Sequence, residues 1–147
     1  MIPKITKEQI KDLYIKYNKL YFNGVLPKCK CHVFKGRSCY GFYSYQKNNK
    51  AAGIWIAYNV EWTEETLREC VVHEMVHHYI RTIEGHRGGL LGHNWRFRRQ
   101  CRILKKEFGI NITVFGYENM LNIGLKRRKK TIWSKIYSFF YAIINFF

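Results

Sequence analysis

Cys70-Val71-Val72-His73-Glu74-Met75-Val76-His77-His78-Tyr79 decides how the rest of the chain is read. The run is apolar and helical in texture, and on a helix His73 and His77 stand one turn apart on one face, with Glu74 beside them. Two imidazoles so placed can share a zinc ion, and the carboxylate is placed as a general base for metal-assisted hydrolysis. A single histidine on an apolar helix is ordinarily a satisfied core residue, and the added glutamate is what favours the metal reading. A helix supplies only two nitrogens here, so a third ligand must return from further along the chain.

Downstream, Glu84-Gly85-His86-Arg87-Gly88-Gly89-Leu90-Leu91-Gly92-His93 is a glycine-rich turn-back. It leads into Trp95, Phe97, Cys101, Leu104 and Phe108, mostly at helical spacing and closed by Gly109. His86 and His93 compete for the third position, with Glu107 as a carboxylate alternative. His93 is favoured because it sits where the return meets the next helix, so that a helical hairpin brings it back to His73 and His77. His78, Tyr79 and His86 are candidate donors to a developing oxyanion, although packing or surface roles account for each as simply.

Upstream, Trp62-Thr63 opens the central helix, with Thr63 as N-cap, Trp62 set to staple against Leu67, and Glu64 and Glu65 at the positive end. Leu67, Val71, Met75, Val76 and Ile80 form its buried side, and the helix is expected to end near residues 82–85. A first helix is predicted from about residue 7 to 22, opened by a Thr6/Gln9 capping box and carrying Ile10, Leu13, Tyr17, Leu20 and Tyr21 inward. Lys11, Lys16 and Lys19 face solvent. Between the helices, strands are predicted at 31–34, 40–45 and 53–58, joined by turns too short for crossover helices, which implies a small antiparallel sheet. Ile54 and Ile56 alternate with Trp55 and Ala57, so one face packs on the helices, while Tyr40, Phe42 and Ser44 are candidates for a groove. Ile110 to Phe115 is read as a short final strand or an extended tail over the core.

At 147 residues the chain fits one domain with a core of its own. Lysine and arginine number 26 against 10 acidic residues, a formal charge of +16, while 17% of residues are aromatic and 47% hydrophobic. Such a composition excludes a disordered polycation and favours anionic partners such as nucleic acid, anionic lipid or acidic protein surfaces. The five cysteines are odd in number, and the start Met1-Ile2-Pro3-Lys4 has no apolar run behind it. Neither a signal peptide nor a disulfide framework is therefore expected, and a reducing, cytoplasmic location is the default. Cys29, Cys31 and Cys39 lack a second close pair, so they read as small hydrophobes ahead of a second metal site.

The domain is placed at 1–125, followed by a basic run, Lys126-Arg127-Arg128-Lys129-Lys130, and an apolar tail to Phe147. At about 1.5 Å per residue, Ile132 to Phe147 reach roughly 24 Å, short of the ~20 residues of a membrane span. An amphipathic segment with a polybasic neck suits an anionic membrane surface, with packing on itself or on an oligomer partner as the other reading.

Three stretches carry a family resemblance: Tyr21-Phe22-Asn23-Gly24-x-Leu26-Pro27, Leu67 through His78, and Gly92-His93-Asn94-Trp95-Arg96-Phe97. In this order and spacing they resemble the signature regions of the SprT-like zinc metalloproteases, over roughly residues 7–115. The resemblance implies Zn²⁺ held by His73, His77 and His93, Glu74 as catalytic acid/base, and a protein or peptide substrate. It also implies an α+β, minimal zincin-like core of an N-terminal helix, a small sheet and a two-helix zinc site. Members include DNA-dependent proteases that remove protein crosslinked to DNA, so an endopeptidase acting on DNA-associated proteins is the implied setting. A non-catalytic zinc-containing nucleic-acid-binding module and a membrane-surface protease are the alternatives. The residue after the third histidine is usually glycine in those DNA-dependent members, with proline and an acidic residue beyond. Here Asn94-Trp95-Arg96 stands in that place, while Phe97 keeps the aromatic position.

Overall fold

In the computed structural model, which describes residues 4–37, 39–46, 51–87 and 93–112, Thr6 opens the first helix. Its hydroxyl accepts from the Gln9 N–H while the Gln9 side chain accepts from the Thr6 N–H, a reciprocal capping box at the head of α1 (Lys7–Tyr21). Ile10, Tyr14 and Tyr17 are the buried stripe. Leu20, assigned inward by its spacing, is 48% exposed, because the stripe 10–14–17–21 follows the helical period more closely and leaves Leu20 on its flank. The chain turns at Asn23 (φ 53°) and Gly24 (φ 71°), the left-handed region that asparagine and glycine tolerate best. Asn18 then clasps Leu26, donating to its carbonyl (3.0 Å) and accepting from its N–H (3.1 Å).

Three strands follow, β1 (Lys30–Phe34), β2 (Gly41–Gln46) and β3 (Ala51–Ala57). The α+β architecture is as expected, but the sheet is mixed, not antiparallel throughout. Its order is β1-β3-β2, with β2 antiparallel and β1 parallel to β3. The short turns do exclude crossover helices; what they do not fix is which strands are neighbours. The β1–β2 connection passes across the end of β3, where Asn59 holds it by accepting from Gly36 N–H (2.6 Å) and donating to Gly36 O (2.9 Å). Gly36 is required there, since a Cβ would lie 2.7 Å from the Ala57 Cβ. The result leaves β2 at one edge of the sheet.

Alternation sets the two faces. Cys31, Ile54 and Ile56 are buried in the core. On the other face the paired residues His32, Trp55 and Phe42 stack across all three strands, at 4.1 Å and 5.4 Å between centroids. Tyr40 is buried and so leaves the groove, whereas Phe42 is exposed.

Thr63 caps α2 (Glu64–Thr82) as expected, although its box partner is Thr66. Every residue assigned to the buried side of α2 is buried, and Cys70, Val72, Glu74 and His78 are buried as well, so the helix is enclosed on more sides than its apolar stripe suggests. The last helix, α3 (Trp95–Phe108), buries Phe97, Cys101 and Leu104, while Trp95 and Phe108 are exposed. It ends at Gly109 in the left-handed region (φ 68°). Ile110 and Ile112 then bury themselves without forming a strand within the described residues. No described helix is long and apolar enough to cross a membrane. The basic run and apolar tail, residues 126–147, and the remainder of the stretch to Phe115 lie outside the described residues.

Candidate metal centre

His73 and His77 project from the middle of α2, and His93 reaches them from just before α3. The His93 Nε2 lies 3.0 Å from His73 Nε2 and 3.2 Å from His77 Nε2, and ligand atoms of all three lie within 4.8 Å of one another. Nitrogens bonded tetrahedrally to zinc at its usual bond length stand about 3.3 Å apart, so the pairwise spacing at His93 fits such an ion. The donor chemistry fits too, because a ligand imidazole must be neutral. Burial, and then His93, push His77 down to about 3; burial, and then Arg98, lower His93. Phe97, fully buried, floors the cluster with its ring centroid 4.8, 4.6 and 4.5 Å from those of His73, His77 and His93.

The return of His93 has local causes. Gly85, at φ 66°, reverses the chain after α2, and His86 N–H bonds back to the Ile80 carbonyl (3.0 Å). Asn94 caps α3, its side-chain oxygen accepting from the N–H groups of Arg96 (3.0 Å) and Phe97 (3.2 Å). That cap is what the residue following His93 contributes here in place of glycine. Glu84 then ties the two helices together by accepting from Arg96 and Arg99.

Glu74 is 5% exposed and lines the same cleft as the three histidines. Burial pushes its carboxyl up to about 8. Gly41 on β2 faces it closely: a Cβ there would lie 3.0 Å from Glu74 Oε1 and 3.1 Å from the Trp55 carbonyl oxygen. The edge strand can therefore come down over the carboxyl only without a side chain at this position. The cleft is about 490 Å³, walled by β2 on one side and α2 on the other.

His78 is not at the cleft. It is fully buried, with Nε2 3.2 Å from the Pro27 carbonyl and Nδ1 3.1 Å from Tyr43 Oη. Since a carbonyl only accepts, Nε2 carries the proton and Nδ1 accepts from the tyrosine. Tyr14 Oη also donates to Pro27 O (2.6 Å). The segment from Tyr21 to Pro27 thus delivers a backbone carbonyl to the metal helix, and His78 passes that anchorage to Tyr43, whose ring lies parallel to His77 (6.4 Å, 12°). Tyr79 packs against Phe22 instead of the site, and Glu107 is exposed on the last turn of α3, outside the histidine group. Of the alternative candidates only His86 lines the cleft.

Among the described residues the cysteines join no such ligand group. Burial instead pushes Cys29 up to about 12 and Cys31 up to about 11, keeping both as thiols. Sequence reasoning missed Gly41, Tyr43, Arg81 and Arg87, which all line the cleft. The first two had a signal: Gly41, Tyr43 and Tyr45 alternate along one strand on the side opposite Phe42 and Ser44.

The SprT-like family matches residues 10–116 of the chain. No curated protein matches it.

Proposed function

The chain belongs to the SprT-like family, a zincin-like metalloprotease family, and from that premise we propose that it is a zinc-dependent endopeptidase. The convergence of His73, His77 and His93, with the Glu74 carboxyl in the same cleft, carries this reading. The three imidazoles would hold the ion. When bound, zinc supplies Lewis acidity, polarising the scissile carbonyl and making water acidic enough to react near neutral pH. Glu74 takes the proton from the water that adds to the carbonyl carbon and returns it to the amine nitrogen as the C–N bond breaks, so no covalent enzyme intermediate is needed. Burial raises this carboxyl, and a cation held by the three imidazoles would favour its ionised form, leaving a base stronger than an exposed glutamate and an acid able to return the proton. The outer edge of β2, which among the described strands pairs only with β3 and forms one wall of the cleft, offers an extended peptide a row of backbone partners.

Glu74→Gln tests the assignment. It should retain zinc by metal analysis and lose roughly 10²–10⁴-fold in peptide hydrolysis. Hydrolysis retained in a pure sample would sink the role given to Glu74.

The setting we propose is nucleic acid, so that the substrates are proteins bound to it. Two features support this. The chain carries +16, and the His32–Trp55–Phe42 stack lies on the sheet face away from the core and includes the exposed ring of Phe42, with Lys7 and Lys30 close enough to lower the His32 pKa further, after burial. Aromatic platforms flanked by cations suit unpaired bases and their phosphates. Binding of a single-stranded oligonucleotide should weaken steeply with salt and roughly fivefold or more in Phe42→Ala; salt-insensitive binding, or none, would count against the setting. The free thiols support a reducing compartment.

A further inference from the structure

The charges that line the cleft are one-sided. Arg81, in the last turn of α2, and Arg87, just beyond it, both contribute to the wall, and Glu74 is the sole carboxylate among the lining residues. Glu74 is withdrawn behind Gly41 at the floor, so the two guanidinium groups dominate the mouth. Neither arginine is ion-paired among the described residues, where the acidic Glu84 nearby is taken by Arg96 and Arg99.

Arg81 is also held in place. Its guanidinium lies 4.2 Å from the centroid of the Tyr45 ring on β2, which bridges the helix wall to the edge strand on which we place the peptide. Stacking on the ring pre-orders the side chain, so less rotamer entropy is lost when it engages a partner. The ring leaves the N–H groups at the guanidinium edge free to take a carboxylate in a paired, planar contact. Arg87 is exposed and adds a second positive charge to the cleft lining.

Resting on the endopeptidase reading, we propose that Arg81 and Arg87 make this cleft selective for peptides that carry an aspartate or glutamate beside the scissile bond. Among the described residues an acidic side chain there meets two guanidinium groups, and the cleft lining holds no carboxylate besides the buried Glu74. A lysine or arginine in the same position is repelled by both. Selection arises from placing like charges against the wrong substrate as much as from attracting the right one.

The test uses the zinc-loaded full chain. A mixed-sequence peptide library, read by mass spectrometry, gives the cleavage sites, and matched peptides with Glu, Gln or Lys at the enriched position then give kcat/KM. The expected order is Glu above Gln above Lys, roughly five- to tenfold at each step at low salt and compressed as salt is added. In the R81Q/R87Q double variant the Glu-to-Gln ratio should fall toward one, and R87Q alone, at an exposed position, should lower it part of the way. Binding of the same peptides to zinc-loaded E74Q, followed by fluorescence anisotropy, should show the same order without turnover. Absence of cleavage with that order of binding intact would sink the endopeptidase reading and leave this selectivity standing. Equal kcat/KM and equal binding across the three peptides would overturn it, as would a preference that survives in R81Q/R87Q. A double variant that treats all peptides like the parent but loses oligonucleotide binding would also overturn it, by assigning the arginines to nucleic acid.

Discussion

Glu84 Oε2 lies 3.0 Å from Arg96 Nη1, and this contact joins the segment that leaves α2 to the helix that follows His93. Glu84 also accepts from Arg99 through its other oxygen, so one carboxylate holds two residues about one turn apart on α3. Its side chain is 10% exposed, against 31% for Arg96, which makes the pair stronger than an open surface bridge without enclosing it fully. Glu84→Gln should therefore cost only about 1 kcal/mol of stability. Its larger effect should fall on zinc, with affinity roughly tenfold weaker because His93 is held less firmly. Chelator competition measures this directly, and unchanged affinity would separate the clamp from the metal site.

His93 supplies the third nitrogen that α2 cannot provide: the rings of His73 and His77 meet directly at 5.2 Å between centroids, and His93 Nε2 reaches them at 3.0 and 3.2 Å. The core of α1, the sheet and α2 does not pass through this residue. His93→Ala should accordingly keep the far-UV dichroism of the parent while losing tight zinc binding. At a zinc concentration about a hundredfold above its Kd, the parent should gain roughly 2.7 kcal/mol from ligation. The variant should show almost none of that gain, which a pair of thermal melts with and without zinc would reveal.

Gly41 faces the Glu74 carboxyl so closely that a methyl group fits only if a neighbour gives way. A Cβ would meet Glu74 Oε1 at 3.0 Å, Cys70 Sγ at 3.1 Å and the Trp55 carbonyl oxygen at 3.1 Å. Two of those neighbours are side-chain atoms able to shift by a few tenths of an ångström, so Gly41→Ala should fold. The shift falls on Glu74, however, and a misplaced base is costly: kcat/KM should drop by about ten- to a hundredfold. Stability and activity measured together decide the matter, because a loss confined to stability would deny Gly41 any bearing on the base.

The pairing of His73 with His77 on one helix face and the three helices were legible because their signals are local. Capping at Thr6 and Thr63, the period of α2 and the close of α3 at Gly109 each depend on a few neighbouring residues. The strand order was not legible, because β1 and β3 pair across the intervening β2 and no local pattern encodes that choice. His78 shows the same limit from the other side. It follows His77 in sequence, yet it turns away from the cleft to Pro27 and Tyr43, partners brought near by the segment after α1 and by β2. Nothing in the sequence around Arg81 and Arg87 marks them as cleft residues; they become so only with β2 set opposite them.

Alkali should unfold this protein for a reason that lies in its thiols. Burial pushes Cys29 and Cys101 up to about 12 and Cys31 up to about 11, from an unfolded value of 9.0. Above pH 9 the unfolded chain sheds these protons while the folded chain keeps them. The unfolded state then binds fewer protons, and stability must fall as pH rises. The stabilisation is complete below the unfolded value and is lost as pH climbs from 9 through 11 to 12. Buried Tyr14 and Tyr17, also raised chiefly by burial, act in the same direction over the upper part of that range. Urea midpoints should decline more steeply above about pH 9 than between about pH 7 and 8.5, where the raised Glu74 carboxyl contributes a shallower slope, with alkylation of the buried thiols by iodoacetamide slow until the steep decline begins. A midpoint that stays level through pH 10.5 would mean that the thiols ionise as easily in the folded chain as in the unfolded one.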